Sequence, residues 1–579
     1  MTDLKKMLLG VGSLSMAGSV TAQQAPASEK GEVPTPPNIL FLVVDDLKPN
    51  IGPYGDPIAR TPAFDRIAAS GVTFMNNYCQ FPLSGPTRAS VLTGLRPDHT
   101  GVWTLDGIFR RNNPEIVSLP QLFAAHGYET VGIGKVYHPL SDETYNNDPV
   151  SWTKPYIKPQ APVYMLPEGK PVTECVDVPD NAYFDGRVAD EAVAWIDSLS
   201  RSDKPFFLAV GFIRPHLPFV APEKYWDLYD RDKMPLAEFQ SMSSDPVPCA
   251  YHNSNEVKAY TDVPSFHSYM PGQELDAEIQ RRLVHGYYAC TSYTDAQIGR
   301  VLDALRKVGL DDNTIVVVWG DHGYHLGDHG LWSKLTNFEA PTRTLLMMSV
   351  PGMTRGQQCR TMTEFVDIYP TVCELAGIEP PSWIDGTSLV PVLKNPRKRI
   401  KRYAFMQANR REIQGYSIRD SRYRYVEWVR GFKTCLPFDE RQIVGCEFYD
   451  YEEDPFETKN AVGDPKYERR IERMRKELRR FYAEQYASPM SAPIARMLGT
   501  DSCGTRVLVF REAPAPAGLP DFVFRMTATY MEIGRIGFYR TPFWFSTPPT
   551  NPAPFPMRTA VCSALPAPLR RLPAFHTMP

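Results

Sequence analysis

The chain has 579 residues, of which 43% are hydrophobic and 12% aromatic, so it is long and apolar enough to bury at least one large core and to form two or more domains. This composition excludes disorder along the whole chain. Its 63 Lys and Arg residues nearly balance its 66 Asp and Glu residues, and the resulting net charge of −3 provides no global field for a nucleic acid or an anionic membrane surface.

The N-terminal residues have the pattern of an export signal followed by a linker. Lys5 and Lys6 precede an apolar stretch over residues 7–20, and Val20-Thr21-Ala22 ends it, which is the basic, apolar and small-residue order of a secretory signal. We therefore predict a signal peptide over residues 1–22, a polar, proline-containing linker over 23–36, and a periplasmic or secreted protein. A short buried helix is the alternative. No later apolar run approaches the roughly 20 residues of a membrane span, so we expect none.

Residues 37–395 alternate short apolar runs with amphipathic stretches. This pattern predicts an α/β domain in which a mostly parallel sheet is covered by helices on both faces. The candidate buried strands, each rich in Val, Ile, Leu or Phe, are residues 39–44, 130–133, 206–210 and 314–319. The candidate helices are one that opens at Thr61-Pro62 and closes at Gly71, one that opens at Ser118 and closes at Gly127, and residues 288–308.

Past residue 395 the composition shifts, first to Pro, Lys and Arg and then to alternating apolar and polar residues. Residues 416–429 and 447–451 predict antiparallel strands, and a charged helix is expected over residues 466–485. We place a smaller C-terminal α+β subdomain over residues 396–488. Residues 489–579 form a proline-rich tail with no assignable fold, either a poorly ordered extension or translated sequence that was never selected to fold.

Ionisable residues follow all four candidate strands of the main domain at the point where each strand ends. Since ligands sit at the carboxyl ends of parallel strands in open α/β sheets, we expect these side chains to gather at one edge of the sheet. In chain order they are Asp45, Asp46, Lys135, His138, Arg214, His216, Asp321 and His322. That edge would hold three carboxylates, three imidazoles and two cations.

Three carboxylates in one place repel each other unless a cation holds them together. We therefore predict that Asp45, Asp46, Asp321 and His322 bind a divalent metal ion. Calcium accepts an irregular set of oxygen ligands better than magnesium does, and it is our first choice. A histidine is unusual in a calcium shell, so on chemistry alone magnesium, manganese and zinc stay open. For a lone Asp-Asp pair after a strand, a helix cap or turn is the simpler interpretation.

A serine-containing motif occupies residues 83–94. Pro86 suits the first turn of a helix, so Ser84 would lie just before a helix N-terminus, where backbone N–H groups favour an anion. Arg88 would lie one turn further along the same helix. Taken alone, a serine at this position is more often a cap than a nucleophile.

The motif Ser84-x-Pro86-Thr87-Arg88, followed by Leu92-Thr93-Gly94, resembles the signature of type I sulfatases, in its serine version. The resemblance extends over about residues 37–461 and includes the segments at 134–139, 215–218 and 320–323 and Lys334. The Lys135-x-x-His138 spacing, the Asp321-His322 pair and the segments 415–419 and 423–425 are similar to the iduronate-2-sulfatase branch. One position departs, because Arg214 stands where that branch commonly has lysine, which replaces a compact ammonium with a planar fork.

The resemblance implies an alkaline-phosphatase-like fold and a formylglycine nucleophile, made from Ser84 by a maturation enzyme and also bound to the metal. It further implies that Arg88 and Lys135 hold the nucleophile and the sulfate, and that Lys334 and Arg214 contact substrate. His216 is the expected general acid, because an imidazole titrates near neutral pH, and His138 is the expected base.

The branch-specific motifs imply a substrate: 2-O-sulfated uronic acid residues of a glycosaminoglycan-like polysaccharide. Two alternatives stay open, namely a phosphonate monoester or phosphodiester hydrolase of the same superfamily and a non-catalytic protein that binds sulfated glycan. His325 and His329 are secondary candidates for the pocket, although a loop histidine bonded to backbone is the commoner state. Asn409, Arg419 and Trp428 are possible sugar contacts, and ordinary packing is an equally good interpretation.

Overall fold

The computed structural model describes residues 36–167, 169–270, 272–431 and 438–487. The predicted signal peptide, the linker up to residue 35 and the predicted tail lie outside these residues. Within them, no helix combines the length and the apolar character needed to cross a bilayer.

Fifteen strands form the sheets of the described residues. They are β1 (Asn38–Val44), β2 (Val72–Tyr78), β3 (Glu129–Gly134), β4 (Thr173–Val176), β5 (Phe206–Phe212), β6 (Phe219–Pro222), β7 (Thr314–Gly320), β8 (His325–Leu326), β9 (Trp332–Ser333), β10 (Leu346–Ser349), β11 (Gln357–Glu364), β12 (Ala404–Arg410), β13 (Ile413–Arg419), β14 (Tyr423–Arg430) and β15 (Ile443–Asp450).

Thirteen α-helices accompany them in the same part of the chain. They are α1 (Pro62–Ser70), α2 (Ser84–Thr93), α3 (Pro97–Thr100), α4 (Phe109–Asn112), α5 (Leu119–Ala125), α6 (Phe184–Leu199), α7 (Glu223–Trp226), α8 (Asn255–Lys258), α9 (Ala277–Lys307), α10 (Glu339–Thr342), α11 (Ile368–Leu375), α12 (Val390–Lys394) and α13 (Glu468–Ala487).

The central sheet is mixed and mostly parallel, as the sequence predicts. Its seven strands run in the order β11-β2-β10-β7-β1-β5-β3, and only β10 is antiparallel to its neighbours. All seven residues of β1 are buried, because helices cover both faces of the sheet. Ile39, Phe41 and Val43 pack into the core on one face, whereas the alternate residues of β1 pack into the core on the other.

The long helix α9 begins at Ala277, well before the predicted start at residue 288. Asp276 explains the earlier start, because its side chain accepts a hydrogen bond from the Glu278 N–H at the helix N-terminus. The apolar face also continues through this first part, where Leu283 and Tyr287 are wholly buried.

A second, four-stranded antiparallel sheet, β12-β13-β14-β15, follows the central one in sequence. The predicted run over residues 416–429 is divided between β13 and β14. One face of helix α13 packs against this sheet along the length of the helix. It contributes Ile471, Met474, Leu478 and Phe481 to a core shared with the sheet. The charged residues of α13 therefore occupy its other face. The domain boundaries at residues 395 and 488 stay predictions.

Candidate active site

The candidate site lies where β1, β3 and β7 end, at one edge of the central sheet. Asp45 and Asp46 follow β1, Lys135 follows β3, and Asp321 follows β7. Since β7, β1, β5 and β3 are adjacent and parallel, their carboxyl ends open on the same side. The predicted gathering of these residues is therefore present in the structure.

Helix α2 brings Ser84 to the same place. Every residue of α2 is buried, and Ser84 is its first residue. The Ser84 Oγ donates a hydrogen bond of 3.0 Å to Asp45 Oδ1 and lies 3.3 Å from His322 Nε2. Gly85 allows this seating, because a Cβ there would lie 2.9 Å from the Thr104 carbonyl oxygen.

Asp45, Asp46, Asp321 and His322 form a compact donor set. One ligand atom from each lies within 4.8 Å of the others, and all four residues are buried. Within the described residues, Asp46 Oδ1 has no hydrogen-bond partner, although it is buried. An orphaned buried carboxylate oxygen is costly unless a cation approaches it, so the set fits a divalent metal ion.

The backbone and the imidazole of this donor set are arranged for binding. Asp46 has a φ of 57°, an uncommon conformation for a non-glycine residue that re-aims its carboxylate at the end of β1. His322 Nδ1 is 3.0 Å from the Gly323 carbonyl oxygen, which fixes the ring as a donor on that side. Nε2 therefore faces Asp46 Oδ1, at 3.4 Å.

Two cations hold Asp45 and Asp321. Arg88 is wholly buried and donates from Nη2 to Asp45 Oδ1 at 2.9 Å and from Nε to Asp321 Oδ2 at 3.0 Å. Lys135 Nζ also donates to Asp45 Oδ2. Although burial opposes ionisation, Lys135 and Arg88 hold the pKa of Asp45 well below its usual range. Burial and the neighbouring Asp45 raise the pKa of Asp321 instead.

Lys334 and His216 meet a carboxylate that sequence reasoning missed. Lys334 Nζ donates to Asp46 Oδ2 and to Glu256 Oε1, each at 2.9 Å. His216 Nε2 lies 3.3 Å from the same Glu256 oxygen. Burial opposes ionisation of Glu256, yet Lys334 and His216 lower its pKa to about 2. Glu256 lies on the short helix α8, which follows no strand, and therefore carried no signal in the sequence.

The other predicted residues take positions around this centre. Burial and the Lys135 charge lower the pKa of His138 to about 3, so its imidazole is neutral. Arg214 donates from Nη1 to the His216 carbonyl oxygen and from its backbone N–H to Asp185. Its guanidinium thus braces the segment that carries His216, and the predicted substrate contact of Arg214 stays a prediction.

The secondary candidates are engaged elsewhere. His325 Nε2 is 2.8 Å from Thr336 Oγ1, and the His329 ring stacks on Phe338 at 4.1 Å. Trp428 is wholly buried and donates to Glu447 at 2.7 Å. Asn409 donates to the Trp103 carbonyl oxygen at 3.1 Å, and Arg419 pairs with Glu339 at 3.3 Å. These contacts favour the packing interpretation for Asn409, Arg419 and Trp428, and both histidine rings contact side chains.

Comparison with known proteins decides the family. A family model described as sulfatase matches residues 37–378, and a second, described as the C-terminal part of N-sulphoglucosamine sulphohydrolase, matches residues 327–484. The chain belongs to the sulfatase family. This sulfatase is therefore a sulfuric ester hydrolase, and it has the alkaline-phosphatase-like fold expected of its family.

One relative of this sulfatase is iduronate 2-sulfatase of Homo sapiens, which is 30% identical over 502 residues covering 74% of this chain and 91% of the relative. A solved structure in complex with its substrate D-glucosamine-2-N,6-O-disulfate superposes with a TM-score of 0.63 at 24% identity, over 78% of this chain and 98% of that one. The phosphonate monoester hydrolase of Agrobacterium radiobacter also has a TM-score of 0.63, at 21% identity over 82% of this chain and 100% of that one. The two solved structures show the shared fold.

The charges in contact at the site of this sulfatase are nearly balanced. Four carboxylates, those of Asp45, Asp46, Asp321 and Glu256, face three cations, those of Arg88, Lys135 and Lys334. With the histidines left out of the count, these side chains carry one excess negative charge by themselves and one excess positive charge with a divalent metal ion. That positive charge matches the single negative charge of a sulfate monoester.

Proposed function

We propose that this sulfatase removes sulfate from 2-O-sulfated uronic acid residues of a glycosaminoglycan-like polysaccharide, with formylglycine derived from Ser84 as nucleophile and Ca²⁺ as metal. The observation that carries the proposal is the position of Ser84, whose buried Oγ lies 3.0 Å from Asp45 and 3.3 Å from His322 at the start of α2. The similarity to iduronate 2-sulfatase over most of both chains supports the uronic acid assignment.

Asp45, Asp46, Asp321 and His322 would hold the calcium ion, together with the modified side chain at position 84. The bound ion and the aldehyde would supply a Lewis acid and an activated oxygen nucleophile near neutral pH. Oxygen donors dominate this set, which favours a hard cation such as calcium. An export signal would place the enzyme in the periplasm or outside the cell, with a formylglycine-generating enzyme acting on Ser84.

The cations of the site would bind and orient the sulfate group. Arg88 and Lys135 lie against Asp45, and Lys334 lies against Asp46, so all three positive charges are already in place before substrate arrives. Preorganised charges of this kind stabilise the charge that develops as the sulfur–oxygen bond breaks. Lys334 would contact the sulfate beside the leaving oxygen, and Arg214 would contact the sugar.

Two histidines would move protons. His216 Nδ1 lies 2.7 Å from the Leu217 carbonyl oxygen, which leaves Nε2 facing the site. A proton held at Nε2 would pass to the leaving sugar oxygen as its bond to sulfur breaks. His138 would accept a proton in the step that releases sulfate, and within the described residues its buried Nδ1 has no hydrogen-bond partner that would compete for this role.

Mass analysis of position 84 and sulfate release from defined disaccharides test the proposal. We expect the aldehyde mass at position 84 in protein matured with its modifying enzyme, and faster release from 2-O-sulfated than from 6-O-sulfated disaccharides. Ser84→Ala should abolish release. The control is Ser90→Ala, which removes a buried hydroxyl of the same helix that has no partner in the described residues and should keep activity. Full activity of unmodified Ser84→Ala protein would overturn the proposal.

A phosphonate monoester or phosphodiester hydrolase is the second candidate, favoured by the fold shared with the hydrolase of Agrobacterium radiobacter. Metal and nucleophile would be common to both reactions, so turnover of an aryl sulfate and of an aryl phosphonate monoester must be compared. A higher kcat/KM for the phosphonate would favour this candidate. Tight glycan binding with an unmodified Ser84 in the native host would favour the non-catalytic alternative.

A further inference from the structure

A basic groove lies apart from the candidate active site and shares no residue with it. It is formed by β11, by the segment before β12, by the turn between β13 and β14 and by the start of α13. Its volume is about 660 Å³, within the roughly 300–1,000 Å³ of ligand pockets. Six cations line it: Arg360, Arg399, Lys401, Arg402, Arg422 and Arg470. Only Asp420 and Glu452 among its lining residues are acidic.

The positive charge of this groove is largely uncompensated. Two of its cations are committed, because Lys401 pairs with Glu364 and Asp367, and Arg422 pairs with acidic residues that include Asp450. The other four arginines form no ion pair with a carboxylate anywhere in residues 36–167, 169–270, 272–431 and 438–487. In a chain of net charge −3, such a local excess requires a specific reason.

Two of these arginines are held in place without losing their charge. The Arg470 guanidinium lies 4.6 Å from the centre of the Tyr423 ring, and that of Arg402 lies 5.2 Å from the centre of the Tyr403 ring. Arg399 and Arg402 are exposed and belong to the basic run at residues 397–402. Stacked guanidinium groups keep their N–H forks free for anions, and runs of this kind are typical of polyanion-binding surfaces.

Sulfated sugars fit this groove better than nucleic acid does. Single-stranded nucleic acids bind by stacking bases on open aromatic faces as well as by backbone charge. Tyr423 is the aromatic residue that lines the groove, and its ring is covered by Arg422 at 4.9 Å, by Arg470 and by Phe448, which stacks on it at 5.5 Å. The groove therefore offers charge and guanidinium forks without a stacking platform.

We propose that this groove is a second carbohydrate site, which binds a sulfated segment of the polysaccharide away from the segment being hydrolysed. The proposal rests on the proposed function in that the substrate is a polymer carrying several sulfates. Binding at the groove would raise the local concentration of the polymer at the enzyme without affecting the chemistry on a small sulfate ester.

The test compares two double variants that each remove two exposed positive charges. Arg399→Gln with Arg402→Gln changes the groove. The matched control, Lys307→Gln with Arg355→Gln, changes two exposed cations that do not line the groove, one at the end of α9 and one before β11. Fluorescence anisotropy with a labelled heparin octasaccharide gives Kd at about 50 and 200 mM salt, and turnover of a small aryl sulfate reports the active site.

We expect the groove variant to raise Kd at least about fivefold and to reduce the salt slope by roughly two, one for each contact, whereas the control changes neither. Aryl sulfate turnover should stay within about twofold of the unaltered enzyme, since no active-site contact is removed. Equal Kd values for the two double variants would overturn the proposal. So would equally tight binding of single-stranded DNA of the same charge, which would assign the groove to nucleic acid. Absence of aryl sulfate turnover in the unaltered enzyme and in both double variants would count against the proposed function alone, because fluorescence anisotropy still measures binding at the groove.

Discussion

Arg88 should be the residue through which metal binding and folding stability are coupled. Its guanidinium lies 2.9 Å from Asp45 and 3.0 Å from Asp321, two of the predicted metal ligands. At these distances each contact is worth about 6 kcal/mol of gross attraction for an effective dielectric constant of 20, before desolvation is subtracted. Removing one partner of such a buried group costs about 3–5 kcal/mol net. Arg88→Met should therefore lower the free energy of unfolding of the metal-free protein by that amount.

Calcium should recover part of this loss, because a divalent ion can balance the same carboxylates once the arginine is gone. We expect Arg88→Met to bind calcium at least about tenfold more tightly than the unaltered protein, which is about 1.4 kcal/mol of recovered stability at saturation. Arg424→Met is the matched control, since Arg424 is equally buried and pairs with Glu339 and Glu457 away from the site. It should be destabilised to a similar extent and gain nothing from calcium.

Urea unfolding followed by tryptophan fluorescence, in chelator and in saturating calcium, measures these free energies, and calorimetric titration gives the calcium affinity directly. The reasoning would be refuted if calcium recovered both variants equally. Weaker calcium binding by Arg88→Met would refute it as well, because that result would make the arginine a support for the ion and not a charge that competes with it.

Two further predictions concern the scaffold. Glu364 accepts 2.8 Å hydrogen bonds from both terminal nitrogens of Arg96. Although burial opposes ionisation, Arg96 and Lys401 lower the pKa of Glu364 to about 2. Glu364→Gln should therefore lower the free energy of unfolding by about 3–5 kcal/mol above pH 5. Because the pKa of Glu364 is lower in the folded protein than its unfolded value of about 4.3, the cost of the substitution should shrink as pH falls below about 4.5. Urea unfolding at several pH values measures this cost, and a cost that does not change with pH would contradict the prediction. A Cβ at Gly211 would lie 2.2 Å from the backbone of Lys135, so Gly211→Ala should lower the free energy of unfolding by about 1–3 kcal/mol or more and reduce sulfatase activity. The control is Gly463→Ala, where a Cβ would have no atom within 4 Å, and it should change neither stability nor activity in the same assays.

The central sheet could be predicted because its strands are buried on both faces. β1, β5 and β7 are continuous apolar runs, and an apolar run followed at once by charged residues also indicates where each strand ends. The start of α9 could not be located in the same way. Its first turns carry the charged residues of a half-exposed helix, and only the capping contact of Asp276 marks where it begins.

The candidate site was predictable to the extent that topology gathers its residues. Asp45, Lys135 and Asp321 each follow a strand of one parallel sheet, so the sequence pattern places them at a common edge. Glu256 follows no strand and lies in a segment of short helices and loops, so only the folded structure brings it to Lys334 and His216. The basic groove is a similar case, since its arginines come from four separate elements.

The amino-acid sequence by itself determined the fold class, the edge at which the site forms and the family motif around Ser84, because burial, strand ends and helix starts are set by local patterns. Tertiary structure alone decided which carboxylate pairs with which cation, which polar atom is left for a metal ion and where uncompensated charge collects. These properties depend on distances between segments far apart in the chain, and electrostatic energies change steeply over those few ångströms.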